Sequence, residues 1–440
     1  MHPSPDLYEA VARGEVSREL VDEISRDHLA AHCPVCAATI ADHRARLPRP
    51  GAAPFPSWEP PRDRLDPLRR RLGLSEEKLR ARERKARSWV RRLVKVPAEM
   101  RRDKVTAAKV RYEGPLFCLL LLEEARRRIP GEPAEAESLA DAALAANQKT
   151  AVYQRDPEVQ APALAVRGNA RRALGRLVVA ANDLAEAERL LDSPRVQDPE
   201  TPPEVYSYLG SLCKDQGYFE EAAGHLHRAA TLYGLLRNRE KAARIFLKLG
   251  AVHYARHEPG AAVTATEKGL GLLDSGSESW LRAYAHYNLA VHLHTAGETD
   301  RAAAELAAHE ELIEGASDQL ANLLVWLRAR MAWSRRDLAA AQRLYTEARQ
   351  RALDRGIAWD AGLVGLELAL VHLVRGHTAK VRKLAREALA IFAAQEVERE
   401  VRAALELLDA AARCDAITRE LLEQAIAALE RAAQRRPAAR

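Results

Sequence analysis

At 440 residues, 30% of them charged and only 5% aromatic, the chain can hold several globular domains or one extended array with an appendage. A composition rich in Ala, Leu, Arg and Glu, with 22 glycines, suits helices and leaves little material for sheets, so an all-α fold is expected. The formal net charge is +6, and the longest strongly apolar run, Leu116–Leu122, is far short of the roughly 20 residues a membrane-spanning helix needs.

The N-terminus, MHPSPDLYEA, lacks the basic-then-apolar pattern of a signal peptide, which leads to the expectation of a cytoplasmic protein. Five cysteines do not make a disulfide framework. Cys118, Cys213 and Cys414 fall singly on apolar helical positions and read as core residues.

Residues 1–46 read as a small helical module. Leu20, Val21, Ile24 and His28 share one helical face, and the helix runs into HLAAHCPVC. The Cys-Pro-Val-Cys turn can aim the thiolates of Cys33 and Cys36 at one point while the helix end presents His28, a ligand mixture that tetrahedral zinc accepts. Reduced structural cysteines and a redox pair are the alternative readings. About 45 residues bury too little core to fold without a metal, a disulfide or a docking surface. Zinc can contribute on the order of 10 to 16 kcal/mol to such a fold. No HExxH and no general-base carboxylate accompany the motif, so the expected zinc is structural. The motif resembles the His-x3-Cys-x2-Cys core of zinc-binding anti-sigma factors, with one more residue after His28 and with His32 in place of that family's first Cys. The resemblance implies a further ligand upstream, where His2 lies 26 residues before His28; His32 and His43 compete for that fourth place.

Residues 47–67 carry seven prolines, too many lost N–H groups for a helix or central strand, and read as a semi-rigid linker. The basic segment follows at 68–112. From 62 to 111 the chain has 19 Lys and Arg against 7 Asp and Glu, so the remainder is acidic overall. Ser75, Glu76 and Glu77 predict a helix start and Pro97 an end, with Leu79, Ala86, Val90 and Leu93 as the apolar stripe and Trp89 beside it. Such a helix either packs on the first repeat and leaves a solvated basic face, or uses Arg69, Arg70, Arg71, Arg91 and Arg92 to dock on nucleic-acid phosphates, an anionic membrane surface or an acidic partner. No second aromatic makes a stacking platform, and no helix-turn-helix or finger spacing is present.

Residues 113–431 are periodic. Gly168, Gly210, Gly250, Ala290, Ala329 and Ala369 are small residues 42, 40, 40, 39 and 40 positions apart, each followed twelve residues later by Ala180, Ala222, Ala262, Ala302, Ala341 or Val381. This predicts helix pairs crossing at small residues, stacked into a solenoid. A degenerate pair from Pro115 precedes them, a closing pair at 399–431 carries Leu405, Leu408, Leu421 and Leu422, and residues 432–440 form a polar tail. In the best copy, Leu209, Gly210, Gly217, Phe219, Ala222 and Ala229 stand where the tetratricopeptide repeat (TPR) signature has its Leu-Gly pair, turn Gly, Ala and aromatic positions. The array resembles that family, which implies a right-handed solenoid whose groove is lined by first-helix positions six and three before, and one and four after, the small residue. Those positions are Arg244, Leu247, Ala251 and Tyr254; Tyr284, Tyr287, Val291 and His294; and Leu323, Trp326, Arg330 and Trp333. Five of the twelve are aromatic, which suits a recognition surface. The competing reading makes these rings interhelical core. In the next repeat Leu363, Leu366, Leu370 and Leu373 are aliphatic and read as core or a covered groove.

His253 and His257 have the one-turn spacing of a metal pair, but they and His286, His292, His294 and His372 read as satisfied or exposed repeat residues. With no P-loop, dinucleotide fingerprint or nucleophile elbow, the sequence points away from an enzyme. It points to a non-enzymatic adaptor or regulator that takes a protein or peptide in its groove. The alternative is a nucleic-acid-binding regulator using 62–111, with the array as sensor or oligomerisation surface.

Overall fold

The computed structural model describes residues 75–108, 114–149, 156–393 and 416–435, with single positions between 401 and 411. The zinc motif, the proline-rich segment and Arg69, Arg70 and Arg71 lie outside these residues. The described residues are all-α, with eighteen helices and no strand, and no helix is long and apolar enough to cross a membrane.

Two compact units divide the described residues: those from 75 to 212 with 220–238, and those from 239 to 435 with 213–219. The first unit opens with α1 (Glu76–Val94) and α2 (Ala98–Ala107), followed by α3 (Pro115–Arg128), α4 (Pro133–Lys149), α5 (Pro157–Ala173) and α6 (Leu177–Leu190). It then takes in most of α7 (Thr201–Gln216) and α8 (Phe219–Leu235). The stripe Leu79, Ala86, Val90 and Leu93 is buried as expected, and Trp89 meets Phe117 of α3 edge-on at 6.5 Å. Ser75 precedes α1, yet its side chain makes no cap; its backbone carbonyl accepts from the Leu79 N–H at 2.9 Å. Arg101, one of the charges the basic segment contributes, is buried. It donates to the Val94 carbonyl at 2.9 Å and pairs with Glu135 at 2.6 Å, tying α2 to the end of α1 and to α4.

The second unit contains α9 (Arg239–Ala255), α10 (Pro259–Leu270), α11 (Ser279–Thr295), α12 (Thr299–Ala308), α13 (Glu310–Ala316) and α14 (Asp318–Ser334). α15 (Leu338–Asp354), α16 (Ala358–Val374), α17 (Thr378–Ala393) and α18 (Arg419–Arg435) complete it. The last helix therefore runs past residue 431. Consecutive helices pair, and α18 packs on α16. The period exceeds that of the common TPR because the helices are long: α14, α15 and α16 are 17 residues each, and only 335–337 and 355–357 separate them.

The small residues act where the periodicity places them. A Cβ on Gly210 would come within 2.6 Å of Leu226 and 3.1 Å of the Ala222 carbonyl, and one on Gly168 within 2.8 Å of Leu184 and 3.2 Å of the Ala180 carbonyl. Ala290, Ala302, Ala329, Ala341 and Ala369 are wholly buried. Seven residues after each crossing residue the backbone enters the left-handed region, at Gly175, Gly217, His257, Gly297, Arg336 and Gly376. That residue ends the first helix with paired N–H bonds back to its last turn, as in Gly297 to His294 and Glu298 to Leu293, at 3.0 and 2.9 Å.

One second helix departs from the expected single rod. At His309 the backbone turns to φ −125°, ending α12 and starting α13. The His309 ring lies 3.0 Å from the Glu305 carbonyl, which its own N–H would otherwise take; that N–H instead reaches Leu306.

Glycine at a left-handed position removes a steric penalty of roughly 1 to 2 kcal/mol that a side chain carries there, offset by greater freedom in the unfolded chain. Arg336→Gly, at φ +62°, is expected to raise unfolding stability by about 0.5–1 kcal/mol, and Gly297→Ala to lower it by about 1 kcal/mol. Urea midpoints at constant m-value check both.

Candidate functional site

The second unit brings the sequence-predicted groove rows of α9, α11 and α14 around one guanidinium. Arg330 on α14 receives Glu367 of α16 as a two-pronged partner, with Nε 3.0 Å from Oε1 and Nη2 also in contact, and Glu430 of α18 at 2.6 Å. Trp326, one turn earlier, donates its indole N–H to Glu367 at 2.7 Å, and the Arg330 guanidinium lies over the Trp326 ring at 4.8 Å. The buried Tyr345 phenol of α15 hydrogen-bonds Glu367 as well. Burial raises the Tyr345 pKa well above the ordinary range, and it raises that of Glu430 against the pull of Arg330. Asp360, also raised by burial, adds a further carboxyl at the start of α16. Two carboxyl groups thus engage one cation through its Nε and Nη2.

On the neighbouring helices Tyr254 tilts against His292 at 5.5 Å, and His292 shares a 2.9 Å hydrogen bond with Thr266. Thr266 and His292 are also what a Cβ on Gly250 would strike, at 2.5 and 3.2 Å, so the small residue makes room for this polar contact. Burial lowers the His292 pKa to about 4. His294, in the groove row, bonds Thr299 at 3.1 Å, and its pKa is lowered by burial and then by Arg330. Tyr254 and Tyr287 are raised by burial, and Tyr287 packs on the apolar cluster of α11 to α14. Trp326 and Trp333 likewise lie against the core around α16.

The predicted residues therefore converge, but with divided roles. Trp326 and Arg330 are engaged internally, Tyr254, Tyr287 and Trp333 are partly packed, and Leu363, Leu366 and Leu370 are buried core. An exposed aromatic pair lies at the other end of α11, where Tyr284 is 40% and Trp280 45% exposed with ring centroids 6.5 Å apart. Arg244 of α9 stacks on Trp280 at 4.9 Å and pairs with Glu240 and Glu278 at 3.0 and 3.1 Å. Trp280 was not among the expected residues, though it stands one heptad before Tyr287 on the same face. Glu367 and Glu430 were also missed. The signal for Glu367 was a lone acid in the middle of AWDAGLVGLELALVHLV.

In the first unit, α1 turns Arg91 and Arg92 to solvent beside Arg80, Arg82, Arg84 and Lys85. His253 pairs with Glu258 at 2.8 Å, so a carboxylate does stand beside this histidine, while His257 is the exposed left-handed turn residue. Cys118 is buried, and its thiol is pushed up to about 12 by burial, which keeps it unreactive. Cys414 lies outside the described residues.

Removing one partner of a buried ion pair strands the other, at about 3 to 5 kcal/mol. Glu367→Gln is expected to lose on the order of 3 kcal/mol in urea unfolding, and Glu430→Gln less, because Glu430 is only partly buried and leaves Arg330 its two-pronged partner. His292 titrates near 4 when folded and near 6.5 when unfolded, so the unfolded chain binds the extra proton between these values. Stability contributed by neutral His292 is thus present above about pH 6.5 and lost as pH falls toward 4, by up to about 3 kcal/mol. The slope of stability against pH in that window should shrink in His292→Gln.

No family model matches the chain, and no curated protein matches it. Solved structures do. The crystal structure of a Rap protein complexed with competence and sporulation factor is 14% identical, covers 72% of this chain and 87% of its own, and superposes with a TM-score of 0.57. The apo form of RapI is 14% identical, with coverage of 79% and 97% and a TM-score of 0.53. At this identity the likeness establishes the fold, an all-α array of sequential helix pairs as in the Rap proteins.

Proposed function

We propose that the protein is a non-enzymatic regulatory adaptor that captures a protein or peptide segment along α9, α11 and α14. The observation that carries this reading is the exposed Trp280–Tyr284 pair with the partly exposed Arg244 stacked on it, which continues the half-buried row of Tyr287, Val291 and His294. Large amphipathic rings beside a guanidinium supply contact area at low entropic cost, and such residues dominate binding hot spots. The fold likeness to a Rap protein solved with a competence and sporulation factor supports a proteinaceous partner. Pre-organisation supports it too, because the Arg244 guanidinium stacks on Trp280 and the Trp280 indole N–H donates to Glu278, which holds that ring in place before a partner arrives.

The test compares complexes recovered from the native host by wild type and by Trp280→Ala/Tyr284→Ala. Each true anchor contributes about 2 kcal/mol or more, so a partner of the groove should be depleted at least tenfold with little change in melting temperature. Tyr287→Ala, by contrast, should lower stability by about 3 kcal/mol, since part of that ring is core. Unchanged recovery in the double variant sinks the groove reading.

A second reading is favoured by the outward basic face of α1. If it engages nucleic acid, duplex retention should fall steeply with salt and the slope should drop in Arg91→Ala/Arg92→Ala. The structural zinc site at His28, Cys33 and Cys36 is likewise our proposal from sequence. Metal analysis of protein prepared without chelators should find zinc that is reduced by about one equivalent in Cys33→Ser/Cys36→Ser.

A further inference from the structure

His286, Glu305 and His309 come together at a place the groove does not use. His286 is on α11, Glu305 is in the last turn of α12, and His309 is the residue at which α12 stops. The His286 Nδ1 is 2.6 Å from Glu305 Oε1, and the His309 Nδ1 is 3.5 Å from that same oxygen. The two imidazoles lie face to face with centroids 3.5 Å apart and planes 15° from parallel. One ligand-capable atom from each residue lies within 4.8 Å of the other two. The side chains are 16%, 20% and 31% exposed, recessed but within reach of a small ion.

Two ring nitrogens and a carboxylate oxygen gathered within 4.8 Å of one another form a donor set for a first-row transition ion once the stacked rings turn toward one point. Zinc takes such ligands at about 2.0–2.2 Å in a tetrahedron, which separates ligand atoms by roughly 3.4 Å. His286 Nδ1 already stands 2.6 Å from Glu305 Oε1, and a ring nitrogen of His309 lies within 4.8 Å of both ligand atoms, so rotation of the side chains brings the three to that spacing. Without an ion the cluster is poorly balanced. Ring pairs prefer centroids about 4.5–7 Å apart and avoid the face-to-face sandwich, and protonating both rings would set like charges against each other. A divalent cation takes both imidazoles neutral and the carboxylate charged. It occupies the place of the proton between His286 and Glu305.

The surroundings fit the role. The His309 Nδ1–H donates to the Glu305 carbonyl at 3.0 Å, a contact of the kind that fixes the tautomer and orientation of a ligating histidine and leaves Nε2 as its metal-binding nitrogen. Arg301, one turn before Glu305, is engaged by Glu298 and by Glu267, and Arg328 is engaged by Glu310 at 2.7 Å. These guanidiniums are held by other acids.

We propose that His286, Glu305 and His309 form a three-ligand site for a divalent first-row transition metal, zinc by preference, with a fourth position open to water. The bound ion ties α11 to the joint between α12 and α13. This site shares no residue with the cysteine motif or with the groove reading.

The test uses the full chain with Cys33→Ser/Cys36→Ser, so that the N-terminal motif cannot supply the signal, after chelator treatment and its removal. Zinc is titrated by calorimetry and cobalt(II) by visible absorption. The expected result is one equivalent bound with micromolar or tighter Kd, a four-coordinate cobalt band and a melting temperature raised by several degrees in zinc. Glu305→Gln and His309→Gln should each weaken binding at least tenfold and abolish the thermal shift, while His253→Gln, altering a paired histidine elsewhere, should leave both intact. If His309→Gln fails to fold, His286→Gln with Glu305→Gln decides in its place. No saturable uptake up to about 100 µM zinc, or uptake unchanged in His286→Gln/Glu305→Gln, overturns the proposal.

Discussion

Two helix backbones approach so closely in each repeat that the first has no space for a side chain larger than a methyl group. At Gly168, Gly210 and Gly250 even a Cβ would collide with the neighbouring helix, and where alanine stands, at 290, 329 and 369, it is wholly buried. Close approach multiplies dispersion contacts between interlocked side chains, and it also sets the distance at which the chain must turn back. Seven residues on, two helical turns, the backbone is left-handed in all six clear copies. The crossing and the turn are therefore one device, since the turn returns the second helix onto the small residue. Repetition of that device produces the 17-residue helices and three-residue connections.

Within that regular frame, the second unit places an irregular polar centre. Glu367 lies in a helix whose other middle positions are aliphatic, and it is buried with bonds to Arg330, Trp326 and Tyr345. A buried ion pair gains little net stability over well-packed apolar residues, because desolvation offsets the attraction. Its consequence is registry: a guanidinium that must satisfy two carboxylates on α16 and α18 allows few alternative placements of those helices. The same bonds hold Trp326 against the floor, which explains why a ring in a groove row can be structural.

The division of labour along α11 follows from geometry. Its residues at the N-terminal end, Trp280 and Tyr284, remain exposed, whereas Tyr287 packs among apolar side chains. On another face of the helix, His286 meets Glu305 and His309. A single helix thus carries an exposed aromatic surface, part of a core and a cluster of metal-capable groups. The break at His309 makes the third of these possible, since it frees the Glu305 carbonyl to orient a ring.

Local pattern was sufficient for the architecture. The spacing of small residues, the stripe Leu79, Ala86, Val90 and Leu93, and the turn at Gly217 are properties of a chain coiling with 3.6 residues per turn, so they can be read along a line. The same periodicity chose the faces of α9, α11 and α14. It could not say what meets those faces, because Arg330 finds its partners 37 and 100 residues away, and His286 finds its partner 19 residues away. Such pairings depend on which side chains neighbouring helices present at one height, which only the packing of repeats determines. Sequence thus determined where the helices lie and cross. Tertiary structure decided which polar groups converge, which rings stay exposed and where a helix breaks, because each of these depends on side chains far apart along the chain.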